Sequence, residues 1–366
     1  MLRKMLYPLL CITLLTGCYD QVYVEDVAAT LIVGIDIDRQ NHLKVYVVNP
    51  LINKDRKRTE EKHYTTDVTA RKARDKFDTV DPGIISGSKI QIILLGEKIL
   101  QKKNWIRYLE PFYRDPQNTM TAKIIGVDGK VSDIIDSSSQ QKNFLADYLA
   151  KLIRTGNTRN VTVKTTFKEL YRQIKDKGIT PSISSIRRMD NHKFKITGTM
   201  LLDFHNLLRL SLTPNENKLL TILQNKVKGD YPFTIKNPLK EISERWISIS
   251  AQRIDVDTKV AYTNQFIFNI NIHLGAEVIE KFPYVHPPIN DSKLEKAISQ
   301  QLTKEMNQLI NKFKNAKIDP IGLGLYARAF QYENWVSYQH DWGKELSKAQ
   351  IKIKVDVKVQ DNGSVK

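Results

Sequence analysis

Both cysteines of this 366-residue chain lie within its first 18 residues, and this placement limits how the chain can be stabilised. Cys11 falls inside an apolar run from Met5 to Leu15, and Cys18 follows shortly after that run. Once such a leader is removed, no two thiols remain to form a disulfide, so the fold must be held by burial of apolar surface. Removing 17 residues from 366 leaves 349, which is enough chain for two domains.

The segment around Cys18 has the pattern of a lipoprotein leader. Arg3 and Lys4 precede the apolar run, which falls short of the roughly 20 residues needed to span a bilayer. Leu15-Thr16-Gly17-Cys18 is similar to a lipobox, so we predict a signal peptide over residues 1–17, cleavage between Gly17 and Cys18, and a diacylglycerol group on the Cys18 sulfur. The alternative is a plain signal peptide that happens to contain a cysteine. The lipobox predicts an exported protein that lipid alone anchors to the membrane.

The formal net charge is +17, and it falls to +15 when Arg3 and Lys4 leave with the leader. A basic surface could bind nucleic acid, but the chain has no recognition motif and no Cys/His zinc pattern, so no nucleic-acid partner is expected. Two other interpretations stay open. The basic residues could lie against anionic lipid headgroups, where each contributes about 1 kcal/mol, or they form an ordinary solvated surface.

Hydrophobic spacing predicts alternating strands and helices through the first half of the chain. Leu31–Asp38 and Leu43–Val48 are predicted to form a hairpin across the polar residues between them. A helix before Asp81-Pro82-Gly83 is predicted to bury an apolar face formed by Val68, Ala73, Phe77 and Val80. Gly156 and Gly178 occupy positions where helix C-caps are expected.

The second half has longer strands and a clear helix start. Thr213-Pro214-Asn215-Glu216 has the spacing of an N-terminal capping box. A long amphipathic helix is predicted from Ser292, and the alternation of apolar and polar residues from Ile351 to Val359 predicts a strand with one buried face.

These patterns predict an α+β or mixed α/β fold with several domains, in which mixed sheets pack against helices. No stretch of the mature chain has the length and hydrophobicity of a transmembrane helix. The pattern breaks around Asp190-Asn191-His192. We therefore predict one domain over residues 18–190, which could divide into two subdomains, and a second over residues 191–366.

No catalytic constellation is evident. The chain has no G-x-S-x-G elbow and no H-E-x-x-H pair, and its seven histidines are scattered. Two carboxylate pairs, Asp36 with Asp38 and Asp255 with Asp257, could hold a cation or act as acid and base, but the ends of polar strands are the favoured interpretation. The chain is therefore predicted not to be an enzyme, with no catalytic residue, no metal ligand and no cofactor.

Solute binding is a second hypothesis. Exported lipoproteins often serve as receptors for transporters, and the four tryptophans, Trp105, Trp246, Trp335 and Trp342, could stack on a ligand. The long strands of the second half fit poorly with the two similar α/β lobes of such receptors.

Several motifs together resemble the Ger(x)C lipoproteins, and the first of these lie near the anchor. Gly17-Cys18-Tyr19-Asp20 is similar to the G-C-W-D junction of that family, with Tyr19 in place of tryptophan. Tyr113-Arg114-Asp115-Pro116 resembles the family's R-D-P element. Gly198-Thr199 with Phe204 resembles its G-x-A-x-F strand, where Met200 replaces the common alanine.

The C-terminal motif is the most specific part of the resemblance. Asp319-Pro320-Ile321-Gly322-Leu323-Gly324, then Trp335, Trp342 and a last strand ending at Asn362-Gly363, follow the family's D-P-x-G-x-G…W…W…strand-G order. Gln339-His340-Asp341 departs from the more basic residues common there. The resemblance extends from Cys18 to Gly363.

The resemblance implies a non-enzymatic C subunit of a spore nutrient germinant receptor. Such a subunit would be lipid-anchored through Cys18 on the outer face of the spore inner membrane. Its implied partners are the integral membrane A and B subunits, and its implied fold consists of several α/β domains of unusual topology.

Overall fold

The computed structural model describes residues 23, 27–52, 58–81, 83–137, 144–190, 193–227, 231–236, 246–279 and 291–361. The predicted leader over residues 1–17 and the predicted lipid site at Cys18 lie outside these residues.

The described residues form fourteen β-strands and eleven α-helices. The strands are β1 (Val27–Ala29), β2 (Ile32–Ile37), β3 (Leu43–Ile52), β4 (Arg58–Asp67), β5 (Ile84–Ser86), β6 (Ile92–Gly96), β7 (Lys123–Val127), β8 (Ser182–Arg188), β9 (Phe194–Leu202), β10 (Leu208–Leu212), β11 (Tyr231–Lys236), β12 (Trp246–Tyr262), β13 (Phe266–Val278) and β14 (Gln350–Asp361). The helices are α1 (Ala70–Phe77), α2 (Glu97–Leu100), α3 (Glu110–Arg114), α4 (Val131–Ile135), α5 (Leu145–Thr158), α6 (Phe167–Lys175), α7 (Pro214–Leu223), α8 (Asp291–Ala316), α9 (Leu323–Phe330), α10 (Tyr332–Tyr338) and α11 (Trp342–Lys348).

An eight-stranded sheet in the order β10-β9-β8-β7-β6-β2-β3-β4 organises the first part of the chain. The four central strands β2, β6, β7 and β8 are parallel to their neighbours within that group, and the strands on either side are antiparallel. Helices cover both faces, and a separate hydrophobic cluster fills each face. Strand β6 is buried at every residue because apolar side chains meet a packed layer on each side.

A four-stranded sheet in the order β11-β12-β13-β14 organises the second part. Helix α8 contacts β14, and a third cluster fills the space between this sheet and the helices around it. The predicted alternation along β14 is confirmed, since Val355 and Val357 are buried and Lys352 and Lys354 are exposed.

The predicted fold class is confirmed, because the chain is a mixed α+β protein with several sheets packed against helices. Among the described helices, none combines the length and hydrophobicity that crossing a bilayer requires.

The predicted boundary at residues 190/191 falls between two strands of one sheet. β8 and β9 pair as antiparallel neighbours, from Ser182 opposite Leu201 to Arg188 opposite Phe194. The eight-stranded sheet therefore continues through β10, which ends at Leu212. In this structure the change from one sheet to the other follows Leu212.

Two local predictions differ from the structure. The predicted helix face is confirmed at Ala73 and Phe77, which are buried, but wrong at Val68 and Val80, which are 64% and 68% exposed because α1 begins after Val68 and ends before Val80. Gly156 does not end a helix: it lies inside α5, which continues to Thr158, and a side chain there would collide with Ile196. The close approach of Gly156 to Ile196 brings α5 against β9, and such a contact leaves no local signal in the sequence.

The predicted capping box at the start of α7 is confirmed. The Glu216 carboxylate accepts hydrogen bonds from the Thr213 N–H and hydroxyl, each at 2.9 Å, and the Thr213 hydroxyl accepts from the Glu216 N–H at 3.3 Å. Lys312 of α8 also donates to Glu216. Burial raises the pKa of Glu216, but Lys312 and Thr213 outweigh it, so the net pKa lies below the usual value of 4.5.

Replacing Glu216 with glutamine is expected to lower the free energy of unfolding by about 1 kcal/mol at pH 7, because the cap and the ion pair are both weakened. A carboxylate whose folded pKa is depressed stabilises the fold above its unfolded pKa, and this contribution is lost as the pH falls through the folded pKa. The difference from wild type should therefore shrink in urea titrations below pH 4.5. Glu333→Gln, at an exposed first-turn position of α10, is the control and should leave stability unchanged. A difference that is constant across pH would contradict the ion-pair assignment.

Candidate functional site

The two carboxylates of the first predicted pair, Asp36 and Asp38, have different partners. Asp36 is buried, and its carboxylate accepts hydrogen bonds from the N–H groups of Val131 at 2.9 Å and Ile37 at 2.8 Å. Burial raises the pKa of Asp36, although these two N–H groups favour the charged form. Asp38 instead accepts from the backbone of the β2–β3 turn. One carboxylate therefore joins a strand to α4, and the other stabilises a turn.

The second pair belongs to the protein surface. Asp255 and Asp257 are exposed on β12, and Asp257 lies 3.6 Å from the Lys259 ammonium. The favoured interpretation, the end of a strand, does not describe this pair, because both residues lie well inside β12.

Three of the four tryptophans belong to the core. Trp105 and Trp342 are fully buried and Trp335 is 4% exposed, whereas Trp246 is 57% exposed. The Trp105 indole donates to the Asn206 carbonyl at 2.6 Å, and the Trp342 ring packs edge-on against Phe266. The three buried rings fill space between secondary-structure elements in the core.

The D-P-x-G-x-G motif forms a buried carboxylate hub at the start of α9. One Asp319 oxygen accepts from the N–H groups of Gly322 and Leu323 at 2.8 and 3.0 Å. The other accepts from the Gly324 N–H and the Trp342 indole N–H, both at 2.8 Å. Burial raises the pKa of Asp319, while the indole and the three backbone donors favour its charged form. Gly322 has a φ of +88°, a conformation that glycine adopts without strain.

The hub also holds the two sheets together. The Thr180 N–H donates to the Asp319 carbonyl at 2.9 Å, and the Asp319 N–H donates to the Thr180 hydroxyl at 3.0 Å. Thr180 lies directly before β8 of the eight-stranded sheet. Gly178 and Gly324 lie so close that a side chain on either would meet the backbone of the other at 2.9 Å or less. The glycines thus permit a backbone contact between the two parts of the chain.

Charged groups extend this joint toward the surface. The Arg328 guanidinium of α9 binds the Asp176 carboxylate with two hydrogen bonds of 3.1 and 3.2 Å. Lys177 lies 3.2 Å from Gln339 and 3.3 Å from His340, the residues at which the sequence departs from the family's basic pattern. Sequence reasoning identified Asp319 and the glycines but missed Thr180, Asp176 and Lys177, for which no local signal exists.

A cavity of about 860 Å³ lies on the α1 face of the eight-stranded sheet. Its floor is apolar and includes Val33, Val45 and Val47, and arginines stand around it. Arg74 donates to the Ile85 carbonyl at 2.9 Å and contacts Asp115 of the R-D-P element at 3.3 Å. The volume lies within the range of small-molecule sites, so this cavity offers room for a solute.

Comparison with known proteins decides the family. A family model described as "Spore germination protein N-terminal domain" matches residues 20–188, and one described as "Spore germination B3/ GerAC like, C-terminal" matches residues 197–363. The chain belongs to the Ger(x)C family. This is a family of spore germination proteins. The R-D-P element of this Ger(x)C chain lies in the first matched region, and Gly198-Thr199 and the D-P-x-G-x-G motif lie in the second.

Curated relatives match this Ger(x)C chain over most of its length. The "Spore germination protein GerQC" of Bacillus cereus is 23% identical over 99% of both chains. The "Putative spore germination protein YfkR" of Bacillus subtilis is 22% identical over 87% of this chain and 86% of its own. The crystal structure of the GerBC protein has the same fold, with a TM-score of 0.61, 16% identity, and coverage of 90% of this chain and 97% of that one.

The structure gives a physical reason for the Ger(x)C motifs. Asp319, Gly324 and Trp342 form the hub, and Asp115 holds the cavity wall through Arg74. Gly198 has a φ of +128° and lies against the Leu212 backbone, where a side chain has no room. The motifs found here therefore maintain the joint between the sheets and the packing around the cavity.

Proposed function

We propose that this chain is the lipid-anchored, non-enzymatic C subunit of a spore nutrient germinant receptor and acts with integral membrane A and B subunits. The observation that carries the proposal is the order and extent of the two family matches, which together reach from residue 20 to residue 363. Both curated relatives described above carry spore germination names.

The proposed location is the outer face of the spore inner membrane, with Cys18 as the lipid attachment site. A lipid anchor confines a protein to two dimensions and raises its effective concentration near membrane partners. The net charge of +15 on the processed chain supports the same location, because lysines and arginines are attracted to anionic headgroups.

The proposed mechanism is mechanical. A germinant bound in the membrane subunits would change their contacts with this domain, and the domain would pass on that change as a connected body. The Asp319 hub supports this mechanism, because it joins the α9 region to the eight-stranded sheet through buried hydrogen bonds. Solute binding for a transporter, the other hypothesis from the sequence, would use the cavity beside α1.

Spores of a strain that lacks this gene are expected to lose the response to one class of nutrient and to keep germination by calcium dipicolinate intact. The reason is that a receptor subunit acts upstream of cortex breakdown, which dipicolinate triggers independently of nutrient receptors. Dipicolinate release after each stimulus is the measurement, and spores complemented with the wild-type gene are the control. Unchanged responses to every nutrient would overturn the proposed role for this chain.

A further inference from the structure

A histidine and two carboxylates meet at the β4 edge of the eight-stranded sheet. Glu61 and His63 are two residues apart in β4, so their side chains leave the same face of the strand. Asp81 lies in the turn after α1. The Nε2 atom of His63 lies 3.1 Å from Oε1 of Glu61 and 3.9 Å from Oδ2 of Asp81, and the three ligand atoms all lie within 4.8 Å of one another.

The His63 nitrogen in this cluster is buried without a hydrogen bond. Nε2 is shielded from solvent and has no hydrogen-bond partner within the described part of the chain. The Glu61 oxygen lies 3.1 Å from Nε2, but the two atoms do not form a hydrogen bond. An unsatisfied buried polar atom is costly, so its position calls for a group that it could bind. Two ligands of one metal ion lie close together without a hydrogen bond between them, because the lone pair of each points at the ion and not at the other ligand.

Among the described residues, the two carboxylates have no basic partner other than His63. The chain has 57 lysines and arginines, yet across the described ranges neither Glu61 nor Asp81 forms an ion pair with any of them. Like charges held close together are destabilising unless a cation lies between them. A divalent ion held between the two carboxylates would supply a compensating positive charge.

Hydrogen bonds from other residues hold Asp81 in place. Asn49 donates to Oδ2 of Asp81 at 2.6 Å, and the Gly83 N–H donates to Oδ1 at 3.1 Å. The Thr30 hydroxyl donates to Oδ1 of the Asn49 side-chain amide at 2.9 Å, and both of these side chains are buried. The Asp81 side chain itself is 4% exposed. Outer hydrogen bonds of this kind orient the ligands of metal sites and are important for their affinity.

We propose that Glu61, His63 and Asp81 bind a divalent transition metal, for which Zn²⁺ is the best match. Zn²⁺ binds histidine nitrogen and carboxylate oxygen at about 2.0–2.2 Å, so two ligands at a tetrahedral angle lie about 3.3 Å apart. The distances of 3.1 and 3.9 Å from Nε2 bracket that value. The nitrogen ligand disfavours Mg²⁺ and Ca²⁺, which prefer oxygen. Three protein ligands leave a fourth position for water, and the ion joins β4 to the turn after α1.

Zinc binding by the full chain tests this site. We expect wild type, dialysed against Zn²⁺ and then against metal-free buffer, to retain about one ion by elemental analysis. His63→Ala should bind at least tenfold more weakly in calorimetric titration with Zn²⁺, and Asn49→Ala should show a smaller loss. The matched control is His42→Ala, which removes a histidine that lies 3.2 Å from Asp38 on an exposed turn, and it should bind like wild type.

The melting temperature separates loss of the site from loss of the fold. Zn²⁺ should raise the melting temperature of wild type and of the His42 variant but not that of the His63 variant, because a ligand stabilises only a fold that binds it. If His63→Ala melts without a cooperative transition, Glu61→Gln replaces it in the same titration. Wild type that retains no zinc, or a His63 variant that binds as tightly as wild type, would overturn the proposal.

Discussion

Replacing Asp319 with alanine is expected to lower the free energy of unfolding by about 4 kcal/mol, the largest stability loss that we expect from a single side chain. The carboxylate accepts four hydrogen bonds, from three backbone N–H groups and the Trp342 indole, in a fully buried position. Removing the acceptor leaves these donors without a partner, and each unsatisfied buried donor costs about 1–3 kcal/mol. Urea unfolding followed by tryptophan fluorescence measures the loss.

The asparagine variant tests the hydrogen-bonding explanation. Asp319→Asn keeps the shape of the side chain but offers one acceptor oxygen instead of two, so one pair of donors would face an N–H₂ group. We expect a loss smaller than that of Asp319→Ala but larger than 1 kcal/mol. The control is Asp341→Ala, since the Asp341 side chain is 73% exposed and should contribute less than 0.5 kcal/mol. If Asp319→Ala and Asp341→Ala were equally stable, the hub would not stabilise the fold.

Replacing Cys18 with alanine is expected to move the protein from the spore membrane to the soluble fraction and to weaken the response to nutrients. This prediction rests on the proposed lipid anchor. Each buried methylene group contributes about 0.8 kcal/mol to membrane binding, so two or three acyl chains make attachment stable, and their loss removes it. The change should not disturb the described fold, whose first strand begins at Val27. Fractionation of spore membranes with immunodetection is the measurement.

The other cysteine provides the matched control for this experiment. Cys11→Ala lies inside the apolar part of the predicted leader and leaves the lipobox intact, so the protein should stay in the membrane fraction. Both variants should be compared for germinant responses. A Cys18 variant that remained membrane-bound and germinated like wild type would show that the lipid is dispensable.

Predictions that depend on a few neighbouring residues agree with the structure. The hairpin of β2 and β3 and the Thr213–Glu216 capping box were both recognised from the sequence. Each depends on hydrogen bonds or side-chain alternation over a short segment. The two errors noted above are the helix end predicted at Gly156 and the burial predicted for Val68 and Val80. Both concern the residues at which α5 and α1 begin or end.

In the candidate sites too, short motifs were recognisable from the sequence, whereas contacts between distant residues were not. The residues of the Asp319 hub were recognisable as a family motif, but their partner Thr180 is 139 positions away in the sequence. Nothing in the sequence indicated a site at His63, because Asp81, which lies beside it, comes from another element. No periodicity or local spacing links such residues.

The sequence alone determined the family, the mixed α+β class, the type of most elements and the expected site of lipid attachment. These depend on periodicity, capping and short motifs, which act over a few residues. The tertiary structure alone decided that β9 and β10 join the first sheet, that the D-P-x-G-x-G motif joins two sheets, and that Glu61, His63 and Asp81 meet. The physical reason is that these contacts form only when distant segments pack together, and packing depends on the shape of the whole core.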